Sequence, residues 1–502
     1  MGMDWMRFVL AARKCPAYTL TWRAACRAGL LLLAVIPAFA ICIPHGALAL
    51  QQTDVPQQAA SVSAPAAYTP AQSEATMLAA MPEATAPEVT LVASAVIAAQ
   101  DTVPIASPAS TPSAATASVS GGATPAFRAA FVTKLNAVFT RYATLGAVVC
   151  VVENGSVSET FCYGLLSPDG TPMTENVLFR VGSISKMVAA MGVMQLVEQG
   201  RVTLEDDLAD ILQLPVRNPS YPDTPITLRQ LMSHTAGFRD SGSYTRALRG
   251  EPRPLSELLT PPLQRYTFLG SIEPGVKSAY SNLGGGLLGS VIEQVTEQTV
   301  DAYLYANLFA PLGITAAYQS ALLAQTAVVS NMYTMPGRRL SASVVDGTAA
   351  YFEADAQHHY TLTAGKLTIS APDLAKLMIA LMDGGVYGDV RVLTEESALS
   401  MRQVQNGIGS VTGNSGFGLN MTVLEGLVAG RTLYGHGGKA NGMLCAAYFD
   451  PTDRTGIVML TNGCNNIPME ENVGKLSLAV MRLVYTQWLE ALHELRDPWL
   501  VE

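Results

Sequence analysis

A break in composition near residue 124 constrains this chain more than any other feature. Residues 50–124 hold no Lys or Arg and only five acids, Asp54, Glu74, Glu83, Glu88 and Asp101, among Ala, Pro, Ser and Thr. Such a stretch buries too little apolar surface to offset the entropy of ordering it. It reads as a flexible, partly extended, disordered linker. A packed core is therefore expected in residues 125–502, a span long enough to need neither disulfides nor a metal for stability. Over all 502 residues the chain is 49% hydrophobic and 14% charged, which excludes a highly charged disordered protein. Its formal net charge of −9 argues against a dominant nucleic-acid-binding role, because that role needs a basic footprint.

Ahead of the linker, Arg7, Arg13, Lys14, Arg23 and Arg27 face a single acid, Asp4. An apolar run from Gly29 to Pro44 follows, then Ala47-Leu48-Ala49. Basic region, apolar region and A-x-A site form a secretory signal pattern, with cleavage expected after Ala49. The alternative is an uncleaved anchor, since residues 29–50 are almost long enough to span a bilayer. Residues 1–49 are thus a signal peptide or anchor. The rest of the chain is expected outside the cytoplasm, periplasmic or extracellular. That compartment permits disulfides among Cys150, Cys162, Cys445 and Cys464, and Cys150 and Cys162 flank a hairpin turn at Asn154-Gly155. No Cys/His spacing resembles a zinc site. His358-His359 beside Asp355 reads as a solvated loop rather than a metal site.

Within residues 125–502, a helix is expected to begin after Pro125 and run to about Arg141. Two strands follow, near Gly146–Val152 and Val157–Tyr163. Next comes Phe179-Arg180-Val181-Gly182-Ser183-Ile184-Ser185-Lys186, opening an apolar-periodic helix from Met187 to Gln199 that Gly200 stops. Ser183 then stands at a helix N-terminus, where the dipole favours developing negative charge. Lys186 lies one turn on along the same face. A serine hydroxyl needs a neighbouring base to act as nucleophile. A lysine whose pKa is lowered by burial can supply one. The chain has eight lysines, and only Lys186 has a serine three residues before it. No G-x-S-x-G elbow occurs, which argues against an α/β-hydrolase.

Two further segments carry chemistry. In Glu273-Pro274-Gly275-Val276-Lys277-Ser278-Ala279-Tyr280-Ser281-Asn282, a Pro-Gly turn leads into an apolar helix from about Gly285 to Glu293. Tyr280 can exchange a proton with Ser183 if close, and Asn282 can orient Lys186 and bind a substrate amide. Equally, Ser281 or Asn282 can simply cap that helix. In Leu433-Tyr434-Gly435-His436-Gly437-Gly438-Lys439, the glycines permit close backbone approach at a strand edge, or a tight turn into a strand. Two apolar stretches follow, Met443–Phe449 and Gly456–Thr461, joined at Asp450–Arg454, and read as an antiparallel pair.

Ser-x-x-Lys, Tyr-x-Asn and His-Gly-Gly in this order resemble the serine β-lactamase-like family, which includes class C β-lactamases, serine D,D-peptidases, D-aminopeptidases and related esterases. The resemblance spans roughly residues 125–490. It extends to Leu228–Phe238, Pro311-Leu312-Gly313-Ile314 and Ala364–Ala375. Thr227 with Gln230 and Ser370 with Asp373 have the spacing of capping boxes that open helices there. His234, by resemblance, is structural. The implied fold is α+β, β-lactamase/transpeptidase-like: an antiparallel sheet packed between helices, and a mostly helical second region at about residues 201–360. A final helical segment, about Met469 to Leu495, returns to the sheet.

The resemblance implies acyl transfer. Ser183 attacks a carbonyl, and Lys186 and Tyr280 share the base role. Backbone N–H groups of Ser183 and Lys439 hold the oxyanion, and Asn282, His436, Gly437, Gly438 and Lys439 line the substrate site. No metal or organic cofactor is implied. Relatives that are β-lactamases carry lysine where His436 stands, so a D,D-peptidase, D-aminopeptidase or esterase is expected, with Lys439 a partial substitute for the missing cation. The alternatives are a class C-like β-lactamase and a penicillin-recognising module that does not turn over. The implied partners are a small peptide, ester or β-lactam and, through the linker, peptidoglycan. Membrane contact is expected only through an uncleaved N-terminus.

Overall fold

The computed structural model describes residues 123–323, 327–334, 338–339, 350–405, 415–440, 442–464, 467, 469–470 and 473–496. Residues 1–122, which include the expected signal segment and most of the expected linker, lie outside them. Thr124 caps the first helix, α1 (Pro125–Arg141), by accepting a bond from the Phe127 amide, and Pro125 takes a position where its missing N–H is not needed. Strands β1 (Gly146–Glu153) and β2 (Ser156–Gly164) form the expected hairpin, with Asn154 and Gly155 both at positive φ. The register sets Cys150 opposite Thr160 and Cys162 opposite Val148, and all four of Cys150, Cys162, Cys445 and Cys464 are free thiols.

The main sheet has seven strands, each antiparallel to its neighbours. With β3 (Ser415–Phe417), β4 (Thr422–Glu425), β5 (Thr432–Ala440), β6 (Met443–Asp450) and β7 (Thr455–Asn462), the order is β3-β4-β5-β6-β7-β1-β2. Strands β1, β6 and β7 are near-continuous apolar runs because both sheet faces are covered. Alternation sorts their side chains: Val148, Cys150, Val152, Val458 and Leu460 face one core, while Ala147, Val149, Val151, Ile457 and Met459 face the other. The second core is closed by α1 and the C-terminal helix, with Phe127, Phe131 and Phe161 around Trp488 at ring distances of 4.9–5.3 Å.

The first core holds helix α2 (Ile184–Glu198). One apolar face was expected, but every residue from Ile184 to Leu196 is buried. A helix apolar all round belongs inside a domain. It packs against helix α3 (Asn282–Thr296), which starts three residues earlier than the apolar run suggests. Ser281 caps α3 through the Gly284 amide. At Leu228–Met232 both bonds of the Thr227–Gln230 capping box are present. Helix α4 (Ala371–Met382) has only half of its expected box: Ser370 accepts from the Asp373 amide, but the Asp373 carboxylate instead takes the Thr315 amide and Lys376. The C-terminal segment also departs from expectation. Met469–Glu470 and Val473–Gly474 form a short ladder, and helix begins only at Lys475. Among the described residues, no helix is long and apolar enough to cross a membrane.

Candidate active site

Ser183 is the N-cap of α2, yet its hydroxyl makes no capping bond, so its oxygen is left for other partners. Lys186, on the next turn, is wholly buried. Its ammonium donates to Ser183 Oγ at 3.1 Å, Asn282 Oδ1 at 2.9 Å and the Ala364 carbonyl at 2.6 Å. Burial lowers its pKa to about 7, against the raising effect of the Asp240 charge. The identities of the three partners matter. A carbonyl and an amide oxygen only accept hydrogen bonds, whereas a hydroxyl can donate. When Lys186 loses a proton, the lone pair it gains has one partner able to supply a proton, Ser183.

This packing depends on two adjacent glycines of α3. A Cβ at Gly285 would sit 2.2 Å from Lys186 Cε, and one at Gly286 would sit 1.7 Å from the Tyr360 carbonyl. The first lets the lysine stem lie on the helix. The second lets the 360–365 segment approach closely enough to present the Ala364 carbonyl. Thr363 ties that segment down, with its hydroxyl within 3.0 Å of the Gly285 and Gly286 carbonyls.

The Tyr280 ring lies 5.0 Å from Lys186 Nζ, and its hydroxyl is close enough to Ser183 to feel it electrostatically. Tyr280 as a whole residue is 47% exposed. Enclosure around the hydroxyl raises the phenol above its ordinary value; the interaction with Ser183 opposes this and the Asp240 charge adds to it. Tyr280 therefore keeps its proton near neutral pH, and of the two groups only Lys186 is poised to exchange one there. The His234 ring packs against Tyr280, tilted at 4.4 Å, and edge-on against Phe417 at 5.1 Å. Buried and held neutral chiefly by desolvation, it walls the site, in keeping with a structural role.

Strand β5 is paired with β4 only from Thr432 to Gly435. Among the described strands, none pairs with His436–Ala440 on that side, which leaves an open edge rather than a tight turn. A Cβ on Gly438 would meet the Val181 carbonyl at 2.0 Å, and one on Gly182 would lie 3.1 Å from the Lys439 amide nitrogen. The His-Gly-Gly edge is thereby laid against the turn that carries Ser183. His436 is buried, its Nδ1 2.6 Å from the Gly437 carbonyl and its Nε2 without a partner. Desolvation first, and the Lys186 charge second, push it down to about 4, so it is a neutral imidazole at pH 7. Lys439 does not replace the missing cation. Alternation along β5 turns its side chain away from that of His436, and Nζ bonds the Ile467 carbonyl at 3.1 Å.

The structure thus gathers Ser183, Lys186, Tyr280, Asn282, His436 and the backbone of Gly437–Lys439 at one place. It adds Asp240, the Ala364 carbonyl and Phe417. Asp240 stands two residues beyond the Leu228–Phe238 stretch, and no spacing marks it. A backbone carbonyl leaves no trace in residue type. His358 and His359 lie elsewhere: His358 pairs with Asp355 and His359 with Glu293, whose side chain is wholly buried. The His359 contact is packed rather than solvated, whereas the His358–Asp355 pair, at 39% and 42% exposure, lies at the surface as expected. Among the described residues, no group of three or more His, Cys, Asp or Glu is placed to hold a metal ion.

An antiparallel sheet between helices, with a serine–lysine pair at the N-terminus of a buried helix, defines a serine hydrolase of β-lactamase/transpeptidase-like fold. The Beta-lactamase family profile matches residues 128–478, and the chain belongs to that family. It is 28% identical over 340 residues to penicillin-binding protein 4 of Amycolatopsis lactamdurans, across 66% of this chain and 84% of that protein. D-amino acid amidase from Ochrobactrum anthropi SV3 superposes with a TM-score of 0.57 at 20% identity, over 74% of this chain and all of the other. D-alanine carboxypeptidase AmpC from Burkholderia cenocepacia gives 0.54 at 20% identity, over 72% and 99%. These two structural likenesses show the fold.

Proposed function

We propose that the protein is an exported serine hydrolase that forms an acyl-enzyme on Ser183 and acts on peptides or esters, of the D,D-peptidase or D-aminopeptidase type. The observation that carries this reading is the 3.1 Å contact between Lys186 Nζ and Ser183 Oγ, with the other two lysine partners confined to accepting. Neutral Lys186 takes the hydroxyl proton as the Ser183 Oγ–carbon bond forms. The backbone amides of Ser183 and Lys439 receive the oxyanion. As the bond to the leaving group breaks, Tyr280 passes it a proton and is reprotonated from Lys186. Water then releases the acyl group by the same steps in reverse. Asn282 holds the acyl amide. The names of the relatives, a penicillin-binding protein, an amidase and a carboxypeptidase, support this substrate range. So does His436: a neutral imidazole is not the permanent cation that would draw in a β-lactam carboxylate. The export reading rests on the N-terminal signal pattern, and reach to peptidoglycan on the Ala/Pro-rich stretch after it.

The test is intact-mass and peptide mapping of the full chain after exposure to a penicillin and to p-nitrophenyl acetate, beside Ser183→Ala. An adduct on Ser183, absent in the variant, is expected with at least one reagent. Because the reacting form is the neutral amine, the acylation rate should rise with pH through about 7. Adducts on another residue, or equal reaction of Ser183→Ala, would overturn the reading.

A further inference from the structure

Asp240 has no part in the chemistry above, yet it is the most heavily bonded side chain next to it. Its Oδ1 accepts from the Ser281 hydroxyl at 3.0 Å and the Leu283 amide at 2.9 Å, and its Oδ2 accepts from Asn282 Nδ2 at 2.8 Å. A carboxylate accepts only, so it dictates which end of the Asn282 amide faces it. The other end, Oδ1, is thereby turned to Lys186 Nζ. Were the amide reversed, two donors would meet at the lysine.

The backbone around Asp240 is pinned. The Arg239 amide bonds the Thr267 carbonyl, the Leu269 amide bonds the Gly237 carbonyl, and the Phe238 and Phe268 rings pack at 4.8 Å. Ser241, next in sequence, caps the helix Gly242–Ala247. The carboxylate is therefore delivered to the start of α3 from a fixed strand-like pairing.

We propose that Asp240 is a positioning residue for the serine–lysine pair, orienting Asn282 so that its oxygen holds Lys186 and supplying the one negative charge that, among the described residues, this lysine meets. The other titratable groups facing Lys186 are Tyr280, His234 and His436. Burial keeps both histidines neutral and Tyr280 keeps its proton. The lysine's proton affinity is thus set by desolvation on one side and Asp240 on the other. The inference rests on the acyl-enzyme reading for its catalytic meaning, but its physical content can be measured without turnover.

The experiment is a direct titration of Lys186 in the full chain labelled with ε-13C lysine, where only eight lysines contribute signals and Lys186→Met assigns the one that matters. Asp240→Asn and Asp240→Glu are compared with the parent, with p-nitrophenyl acetate acylation measured alongside. Asp240→Asn, which keeps the shape and removes the charge, should lower the Lys186 midpoint by about one pH unit at most, the carboxylate being solvent-exposed. Acylation should fall roughly tenfold or more at its plateau, with its rising limb moved to lower pH. Asp240→Glu should restore the midpoint and part of the rate. An unmoved midpoint in Asp240→Asn overturns the proposal, even if the enzyme is slower, because mere structural damage would slow it too. Persistence of ester turnover in Ser183→Ala would instead overturn the acyl-enzyme reading, and the lysine titration would still decide the role of Asp240.

Discussion

Helix α3 carries a buried polar cluster near each end, and the two are built on opposite principles. At its start, Asn282 meets Lys186, whose ammonium has three hydrogen-bond acceptors but no carboxylate in contact. Near its end, the buried Glu293 carboxylate accepts from His359 Nδ1, the Val300 amide at 3.2 Å and the Asp355 amide at 2.7 Å, with the His359 ring stacked on Tyr351 at 3.6 Å. Each cluster joins α3 to a distant stretch of chain. The difference lies in compensation. A buried carboxylate that accepts from three donors on other segments ties those segments together and acts as a clamp. A buried charge met only by neutral acceptors is poised to lose its proton, which is what a base near neutral pH requires.

The contrast predicts opposite responses to mutation. Lys186→Met should lower acylation of Ser183 by about 10⁴-fold, measured by ester burst kinetics, while its denaturation midpoint changes little. Burying the ammonium opposes folding, and its removal offsets the hydrogen bonds lost at Asn282 and Ala364. The sign has a pH signature. The unfolded lysine stays protonated to about 10.5 while the folded one releases its proton at about 7, so the parent gains stability as pH rises across that window. The variant should lack this slope, and an identical slope in both proteins would break the comparison.

At the other end of the helix, Glu293→Gln should cost about 3 kcal/mol of stability, since it leaves buried donors facing an amide. Urea unfolding measures this. The midpoint of the acylation–pH profile should stay where it is, and a moved midpoint would mean that the two clusters are electrically coupled after all.

The smallest effect sharpens the comparison within one turn of α3. Gly285→Ala should slow acylation by about 10²-fold, because its methyl displaces the lysine stem from Ser183, while unfolding remains cooperative at nearly the same midpoint. Gly286→Ala meets the Tyr360 backbone instead and should lower stability more than Gly285→Ala does. Equal loss of stability in the two variants would show that the glycines serve one packing need.

How much of this was legible in advance depends on the kind of interaction. Local interactions could be read. The Asn154-Gly155 hairpin, the Thr227–Gln230 box and the β6–β7 pair all appear with boundaries within a residue or two, because turns, caps and alternation are written in neighbouring residues. Interactions formed across the fold could not. Asp373 looked like a capping partner, but the Thr315 amide, brought close only by folding, takes its carboxylate together with Lys376 one helical turn on. Lys439 looked like a replacement cation until strand alternation and the Ile467 carbonyl turned it away.

For the active site the division is the same. The sequence by itself determined the cast: a serine one helical turn before a lysine, Tyr280 two residues before Asn282, and a glycine-lined strand after His436. Spacing along a helix or strand fixes which side chains share a face. The tertiary structure alone decided their chemical state. Enclosing α2 on every side removes water from Lys186 and His436. Asp240, brought in from another segment, turns Asn282 toward the lysine. Proton affinity in a protein depends on what lies within a few ångströms in space, and no spacing along the chain encodes that.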